Sequence, residues 1–124
     1  MVVDTSALLA VLFNERHGPW IADQLQRNAG SLRMSTVNLA EALILIQDRQ
    51  PQLFRQLRIS ILGSPIRFVP PSVEHAETAA AARLRYPLNL GDCFAYALAR
   101  HEGTPVLTLD PDFRRVDIPV VLPR

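Results

Sequence analysis

The sequence contains no lysine, and all 13 of its basic residues are arginine. Reactions that need a lysine amine, such as Schiff-base formation, are therefore excluded. The absence also argues against two classes of α/β protein that cluster acidic side chains at strand ends. Receiver domains and haloacid-dehalogenase-type phosphatases both use a lysine, and the phosphatases also place an aspartate where this chain has Ser6.

Cysteine and long apolar runs are also scarce. Cys93 is the single cysteine, which excludes an internal disulfide framework and a cysteine-based zinc site. No uncharged apolar run approaches the ~18 residues of a membrane span. Residues 1–13 are interrupted by Asp4 and follow no basic segment, so they do not resemble a signal peptide. We therefore expect a cytoplasmic protein with no membrane segment.

The remaining composition is that of an ordinary globular chain. Of 124 residues, 48% are hydrophobic and 20% are charged, with a net charge of +1. This length is near the usual size of one domain, and we expect a single domain over residues 1–124. The near-neutral net charge does not by itself predict nucleic-acid binding.

Short apolar strands alternate with helical segments along the chain. The predicted order is β-α-α-β-α-α-β-α-α-β, with a short last strand. The strands are predicted at 2–3, 32–35, 66–69, 106–109 and 120–122, and the helices at 7–13, 19–28, 35–49, 51–62, 72–85 and 88–99. Thr5 and Ser6 are predicted to cap the first helix. Alternation with short connections predicts an α/β fold, a three-layer α/β/α sandwich around a mostly parallel central sheet.

Four of the twelve acidic residues lie in apolar surroundings. Asp4 and Asp110 follow apolar strands, whereas Glu41 and Asp92 interrupt apolar helical runs. Each has a local explanation. Asp4 could cap a helix, Glu41 could complete a capping box begun by Asn38, Asp92 could face a helix dipole, and Asp110 could begin a turn.

Taken together, the four acids suggest a shared site. Two are predicted at strand ends and two in the first turns of helices, positions that can meet at the carboxyl edge of a parallel sheet. Converging carboxylates repel one another unless a cation lies between them, and Mg²⁺ or Mn²⁺ is the hard cation that oxygen ligands suit. Thr5, Ser6 and Thr108 add hydroxyl groups nearby, whereas the three histidines lie on polar faces at no metal-ligand spacing.

Four segments of the chain resemble, in order, the acidic motifs of PIN-domain ribonucleases. They are Val2-Val-Asp-Thr-Ser-Ala-Leu-Leu-Ala10, Ser35-Thr-Val-Asn-Leu-Ala-Glu41, Leu88-Asn-Leu-Gly-Asp-Cys-Phe-Ala-Tyr-Ala-Leu-Ala99 and Val106-Leu-Thr-Leu-Asp-Pro-Asp-Phe113. The chain as a whole is similar to the VapC-type toxins of bacterial toxin–antitoxin pairs. The third segment is the most specific.

This resemblance implies a set of ligands and partners. Asp4, Glu41, Asp92 and Asp110 would hold one or two Mg²⁺ or Mn²⁺ ions, with Asp112 contributing through water. The implied substrate is RNA, with tRNA or rRNA as the expected target. A cognate VapB-like antitoxin would block the acidic pocket and fill an apolar groove, and a homodimer within a toxin–antitoxin hetero-oligomer is expected. The residues predicted for the groove are Trp20, Leu25, Leu43 and Phe54.

The expected chemistry is metal-assisted hydrolysis of a phosphodiester, because the chain offers no pair of nucleophile and histidine. Thr5 or Ser6 could position water or substrate. Arg114 and Arg115 follow Asp110 closely enough to meet phosphates, although a solvated loop explains them equally well. The alternative function is a non-catalytic PIN-like binding module whose acidic pocket docks a partner that bears arginine.

Overall fold

A computed structural model describes residues 1–124. Its sheet has five short strands, each of two or three residues. They are β1 (Val2–Val3), β2 (Arg33–Ser35), β3 (Arg67–Val69), β4 (Val106–Leu107) and β5 (Val120–Val121). The six helices are α1 (Thr5–Leu12), α2 (Gly18–Arg27), α3 (Thr36–Arg49), α4 (Phe54–Leu62), α5 (Val73–Arg85) and α6 (Leu90–Glu102). Short 3-10 turns occupy Ala29–Ser31, Pro51–Leu53 and Pro111–Arg115.

All neighbouring strands pair in parallel, in the order β3-β2-β1-β4-β5. The chain winds from β1 to β3 in one direction and then returns to place β4 on the other side of β1. Because crossovers between parallel strands are right-handed, this reversal puts α1 to α4 on one face and α5 and α6 on the other. The predicted three-layer α/β/α sandwich is confirmed, and every strand pair in its sheet is parallel.

The side chains of each central strand divide between two hydrophobic cores. Val2 belongs to a core built with α5 and α6, whereas Val3 belongs to a core built with α1 to α4. Val106 and Leu107, their register partners on β4, divide in the same way. This alternation is expected because successive side chains of a strand point to opposite faces of the sheet.

Several predicted helix starts are corrected. α1 begins at Thr5, with Asp4 in the N-cap position, so Thr5 and Ser6 do not cap it. α3 begins at Thr36 because the side chain of Ser35 accepts a hydrogen bond from the backbone N–H of Val37. Asn38 and Glu41 therefore form no capping box, and Glu41 lies in the second turn of α3 rather than the first.

The fourth strand is shorter than predicted. It ends at Leu107 rather than at residue 109, because the Thr108 hydroxyl bonds to Asp4 and to the N–H of Asp110 as the chain turns away. No helix in the structure has the length and apolar character needed to cross a membrane.

Candidate functional site

The four acids that stand out in the sequence line one cavity of about 310 Å³. This cavity lies at the carboxyl ends of β1 and β4, where the winding of the sheet reverses. Ligands of open parallel sheets bind at such reversal points. The other lining residues are Thr5, Ser6, Leu9, Glu15, Leu45, Arg49, Asn89 and Leu109.

Asp4 forms the floor of the cavity and is 1% exposed. Its Oδ2 accepts hydrogen bonds from the hydroxyls of Thr108 (2.8 Å) and Ser6 (2.9 Å). Its Oδ1 is buried and has no hydrogen-bond partner. Burial raises the pKa of Asp4 to about 6, against the two hydroxyl hydrogen bonds, which lower the pKa. The free oxygen is an unused ligand position on a carboxylate that is otherwise held in place.

The two hydroxyls that hold Asp4 also hold the segment that carries Asp110. The backbone N–H of Leu109 donates to Ser6 Oγ (3.0 Å), and that of Asp110 donates to Thr108 Oγ1 (3.0 Å). Asp110 in turn accepts a hydrogen bond from the N–H of Asp112 (2.9 Å). The ends of β1 and β4 are thus joined by side chains, and Asp4 and Asp110 are fixed relative to each other.

Asp92 is part of the capping box that begins α6. The side chain of Asn89 accepts from the N–H of Asp92 (2.8 Å), and Asp92 Oδ2 accepts from the N–H of Asn89 (3.3 Å). Asp92 is 6% exposed, and burial, followed by the charges of Asp4 and Asp110, raises its pKa. The helix N-terminus favours its charged form, so the explanation by the helix dipole holds but does not account for the neighbouring acids.

Glu41 reaches the cavity from α3 and lies against the first turn of α6. A Cβ atom on Gly91 would lie 2.6 Å from Glu41 Oε1, so glycine is the residue that leaves room for this carboxylate. Asn38, one turn before Glu41, is fully buried and donates to Thr5 Oγ1 (3.1 Å) and to the carbonyl of Gly91 (3.0 Å). Asn38 therefore ties α1, α3 and α6 together beneath the cavity.

The donors of this cavity suit a hard divalent cation. The ligand atoms are carboxylate oxygens, one of them buried without a partner, and burial, followed by repulsion from neighbouring carboxylates, raises the pKa of Asp4 and Asp92. A cation relieves both the repulsion and the unpartnered oxygen. The carboxylates surround the cavity rather than converge on a point, because no three acidic, histidine or cysteine side chains are close enough to hold one ion as they stand.

The structure does not bring every predicted site residue to the cavity. Asp112, Arg114 and Arg115 are exposed on the 3-10 turn and do not line it, and Arg114 lines a separate cavity near the C-terminus. The predicted phosphate contact of Arg114 and Arg115 is thus not supported by their positions, because neither residue lines the cavity. Of the acidic pair on this turn, Asp110 faces the cavity.

Thr5 and Ser6 line the cavity, but their hydroxyls already have internal partners. Ser6 Oγ bonds to Asp4 and to the N–H of Leu109, and Thr5 Oγ1 donates to the carbonyl of Asn38 (3.4 Å) and accepts from the Asn38 amide. Both residues support the site in this arrangement.

Arg49 and Asn89 line the cavity but are not among the site residues predicted from the sequence. Arg49 could have been found from spacing, because Glu41, Leu45 and Arg49 recur every fourth residue along α3 and so share one helix face. Asn89 lies inside the predicted helix 88–99, whereas in the structure it is the N-cap of α6. The same Asn89 side chain caps α6 and lines the cavity.

The comparisons with known proteins agree on the class of the fold. The PIN domain model matches residues 1–119. The structure resembles VapC20 of Mycobacterium tuberculosis, a toxin that cleaves the sarcin–ricin loop, with a TM-score of 0.81, 18% identity and coverage of 94% of this chain and 95% of that one. It also resembles a toxin–antitoxin complex from Klebsiella pneumoniae, with a TM-score of 0.77, 23% identity and coverage of 97% and 94%.

Among curated proteins, a ribonuclease VapC of Mycolicibacterium smegmatis is 34% identical over 133 aligned positions, covering 98% of this chain and 99% of its own. The chain therefore belongs to the PIN-domain family and, within it, to the VapC ribonucleases.

Proposed function

We propose that the protein is a Mg²⁺- or Mn²⁺-dependent endoribonuclease, the toxin of a VapBC-type toxin–antitoxin pair acting in the cytoplasm. The observation that carries the metal dependence is the cavity at the ends of β1 and β4, which four carboxylates line and where a buried oxygen of Asp4 has no partner. Membership of the VapC ribonucleases supports RNA as the substrate, and tRNA and rRNA are the classes we propose.

Asp4, Glu41, Asp92 and Asp110 are the residues proposed to hold the ion, with Asp112 contributing only through water because it does not line the cavity. A bound divalent ion supplies a Lewis acid for the phosphate and an activated water for in-line attack. Asp4 and Asp110 are fixed by Ser6 and Thr108, and Asp92 is fixed by its capping box. The protein's own contribution is therefore to hold these carboxylates in fixed positions around the cavity before substrate arrives.

The decisive experiment compares RNA cleavage by the wild type, Asp4→Asn and Asp92→Asn in Mg²⁺ and in a chelator. We expect cleavage of total tRNA or rRNA by the wild type in Mg²⁺, none in chelator, and a loss of at least about 100-fold in either variant. Asp48→Asn, which changes an exposed acid on α3 away from the cavity, serves as the control and should match the wild type.

Pure, monodisperse wild-type protein that cleaves no RNA, or cleaves it equally in chelator, would refute metal-dependent hydrolysis. That result would support the binding module whose acidic pocket docks an arginine-bearing partner. If cleavage is found, sequencing the 5′ ends of RNAs generated on induced expression identifies the target.

We also propose that the antitoxin occupies an apolar groove of about 350 Å³ between α1, α2 and α4. This groove is almost entirely apolar, and Leu8, Val11, Leu12, Leu25 and Ile61 contribute to it. Among the four groove residues predicted from sequence, Leu25 lines this groove. Trp20, Leu43 and Phe54 lie outside this groove and pack partly buried against the core of α1 to α4, so their contact with the antitoxin stays a prediction. The toxin–antitoxin complexes among the structural neighbours suggest a peptide segment as the occupant.

A substitution at the rim of the groove tests this assignment without opening the core. Ala29 is exposed and lines the groove, so Ala29→Glu should weaken binding of the cognate antitoxin by at least about tenfold. Ala22→Glu, exposed on α2 but outside the groove, is the control and should bind normally. Equal antitoxin affinity of the two variants by calorimetry would place the antitoxin elsewhere.

A further inference from the structure

Arg49 is the one cationic side chain that lines the acidic cavity. The other charged lining residues are the four carboxylates of the proposed metal site and Glu15. Arg49 takes part in none of the four ion pairs of the structure, so no carboxylate lies within 4.0 Å of its charged nitrogens. Its guanidinium is therefore a free cation beside a cluster of acids.

The position of Arg49 is set by α3 and by an aromatic ring. Arg49 lies two turns after Glu41 on the same helix face and lines the cavity. Its guanidinium carbon is 5.7 Å from the centroid of the Phe13 ring, within the range of a cation–π contact. Phe13 ends α1, and the chain turns there through Asn14, whose φ of 52° is left-handed. The ring thus supports one face of the guanidinium, and the edge that carries the N–H donors is left without a protein partner.

We propose that Arg49 binds a phosphate of the RNA adjacent to the phosphate that is cleaved, an inference that rests on the proposed ribonuclease function. A planar guanidinium presents paired donors that match two phosphate oxygens. The RNA backbone also needs a positive contact here, because the surrounding carboxylates repel it wherever the metal ion does not neutralise them. Arg49 supplies this contact from within the cavity wall, the role that Arg114 and Arg115 do not fill because they lie outside it.

A phosphate fits this guanidinium better than the arginine of a protein partner does. An incoming arginine would meet a like charge at Arg49, whereas a phosphate meets its opposite. Removal of the Arg49 side chain should therefore affect the binding of an RNA phosphate and the binding of a partner's arginine in opposite directions. Arg49→Ala should weaken RNA binding and should leave antitoxin binding unchanged or stronger.

Steady-state cleavage of total tRNA in Mg²⁺ tests the proposal with Arg49→Ala, Arg49→Lys and a control. We expect Arg49→Ala to raise KM about tenfold with kcat within about threefold of the wild type, and Arg49→Lys to fall between them. Arg58→Ala, which removes an exposed and unpaired arginine of α4 outside the cavity, should leave both constants unchanged. Thermal unfolding of each variant shows that the fold is retained.

The salt dependence of RNA affinity distinguishes a phosphate contact from a structural role, because a purely structural role of Arg49 would leave it unchanged. A short fluorescein-labelled single-stranded RNA of mixed sequence is bound to the Asp92→Asn protein with and without Arg49→Ala. Loss of one phosphate contact lowers the slope of log affinity against log salt by about 0.7. An unchanged KM together with an unchanged slope would overturn the role of Arg49. If the wild type itself cleaves no RNA, the proposed function has failed instead, and the two failures are thereby distinguished.

Discussion

Asp4 combines two properties that rarely coexist in one side chain. It is nearly inaccessible, and yet one of its oxygens has no partner in the protein. The pKa of about 6, compared with an ordinary 3.8, means that the folded state binds its proton more tightly than the unfolded state does. Protonation therefore favours folding, and the stability gained in this way is fully present below about pH 4 and is lost as the pH rises through about 6.

The metal-free protein should accordingly become less stable across this pH range. In chelator, we expect the free energy of unfolding to fall by on the order of 3 kcal/mol between about pH 4 and pH 7 because of Asp4. Asp4→Asn removes this contribution and should flatten the dependence, while Asp48→Asn should leave it as in the wild type. Urea denaturation at several pH values measures the effect. If the free energy of unfolding changes equally with pH in the wild type and in Asp4→Asn, ionisation of Asp4 does not destabilise the folded state.

Gly91 tests the position of Glu41 without altering a charged residue. Gly91→Ala places a methyl group 2.6 Å from Glu41 Oε1, and the flexible end of Glu41 is what must move. We expect RNA cleavage to fall at least about tenfold, with a loss of stability below about 1 kcal/mol. Gly30→Ala is the control because nothing lies within 4 Å of its new Cβ atom. Full activity of Gly91→Ala would mean that RNA cleavage does not depend on the present position of the Glu41 carboxylate.

At this scale, the sequence predicts the candidate acids better than the groups that support them. A carboxylate in an apolar run is conspicuous, and all four conspicuous acids line the cavity. Asn38 was not recognised as a tie between helices because its partners are Thr5 and Gly91, which are distant in the chain. Contacts of this kind depend on tertiary packing, and no local pattern encodes them.

At the scale of single elements, α5 and α6 form a natural pair for comparison, because each begins with a capping box. In α6 the box joins Asn89 and Asp92, whereas in α5 it joins Ser72 and His75. The two boxes use the same geometry, but only the box of α6 contains a residue of the acidic cavity. The cap of α6 is therefore both a start signal for the helix and a support for Asp92.

Removing each cap should separate these two roles. Asn89→Ala and Ser72→Ala should each lower the free energy of unfolding by about 1 kcal/mol, since each frees a backbone N–H at a helix start. Only Asn89→Ala should also reduce RNA cleavage, because the backbone N–H of Asp92 loses its acceptor and the first turn of α6, which carries the Asp92 carboxylate, is held less firmly. Parallel measurements of unfolding and activity check this. A similar loss of activity in Ser72→Ala would point to general destabilisation.

The order and type of the elements were predictable from the sequence, but several boundaries were not. Apolar strands and amphipathic helices carry clear patterns. The start of α1 at Thr5 was missed because Asp4 takes the N-cap position without a capping side-chain bond, its carboxylate being engaged by Ser6 and Thr108. The helix start at Thr36 was predicted to within one residue, and the capping box suggested by the spacing of Asn38 and Glu41 does not form.

At the scale of the whole molecule, one exposed apolar stripe has no partner within the chain. Val73, Ala76, Ala80 and Leu84 recur along one face of α5 and are all exposed, with Leu84 at 90% and Val73 at 73%. Leu90, at 72% exposure, begins α6 beside it and shares a groove with Ala76 and Ala80. An uncovered stripe of this kind is typical of a protein interface, and we propose it as the surface of the expected homodimer.

A charge placed at the most exposed large residue of this stripe, Leu84, should separate the subunits. Light scattering should show a dimer for the wild type and a monomer for Leu84→Glu, because a buried unpaired carboxylate opposes association. Ile59→Glu, at another exposed apolar position outside the stripe, on α4, should remain dimeric. A monomeric wild type, or a dimeric Leu84→Glu, would remove this surface from consideration.

The strand order was beyond the reach of the sequence, since it depends on pairing between distant segments. The prediction that acids at strand ends share one sheet edge did not specify which strands are neighbours. The reversal of winding between β1 and β4 supplies that information and makes Asp4 and Asp110 neighbours. The class of fold and the chemical type of the site follow from local patterns, whereas their exact juxtaposition follows from topology.

The shortness of β1 has a consequence for how the chain tolerates insertions and deletions. Val2 and Val3 each serve a different core, and Asp4 follows with no intervening residue. One residue inserted between Val3 and Asp4 would turn the carboxylate toward the opposite face of the sheet, and one deleted would remove a core contact. The direction in which Asp4 points therefore depends on the number of residues in β1, because successive side chains alternate between the two faces of the sheet. Change of length is tolerable far from this strand, whereas beside it only substitution preserves the alignment of both cores with the cavity.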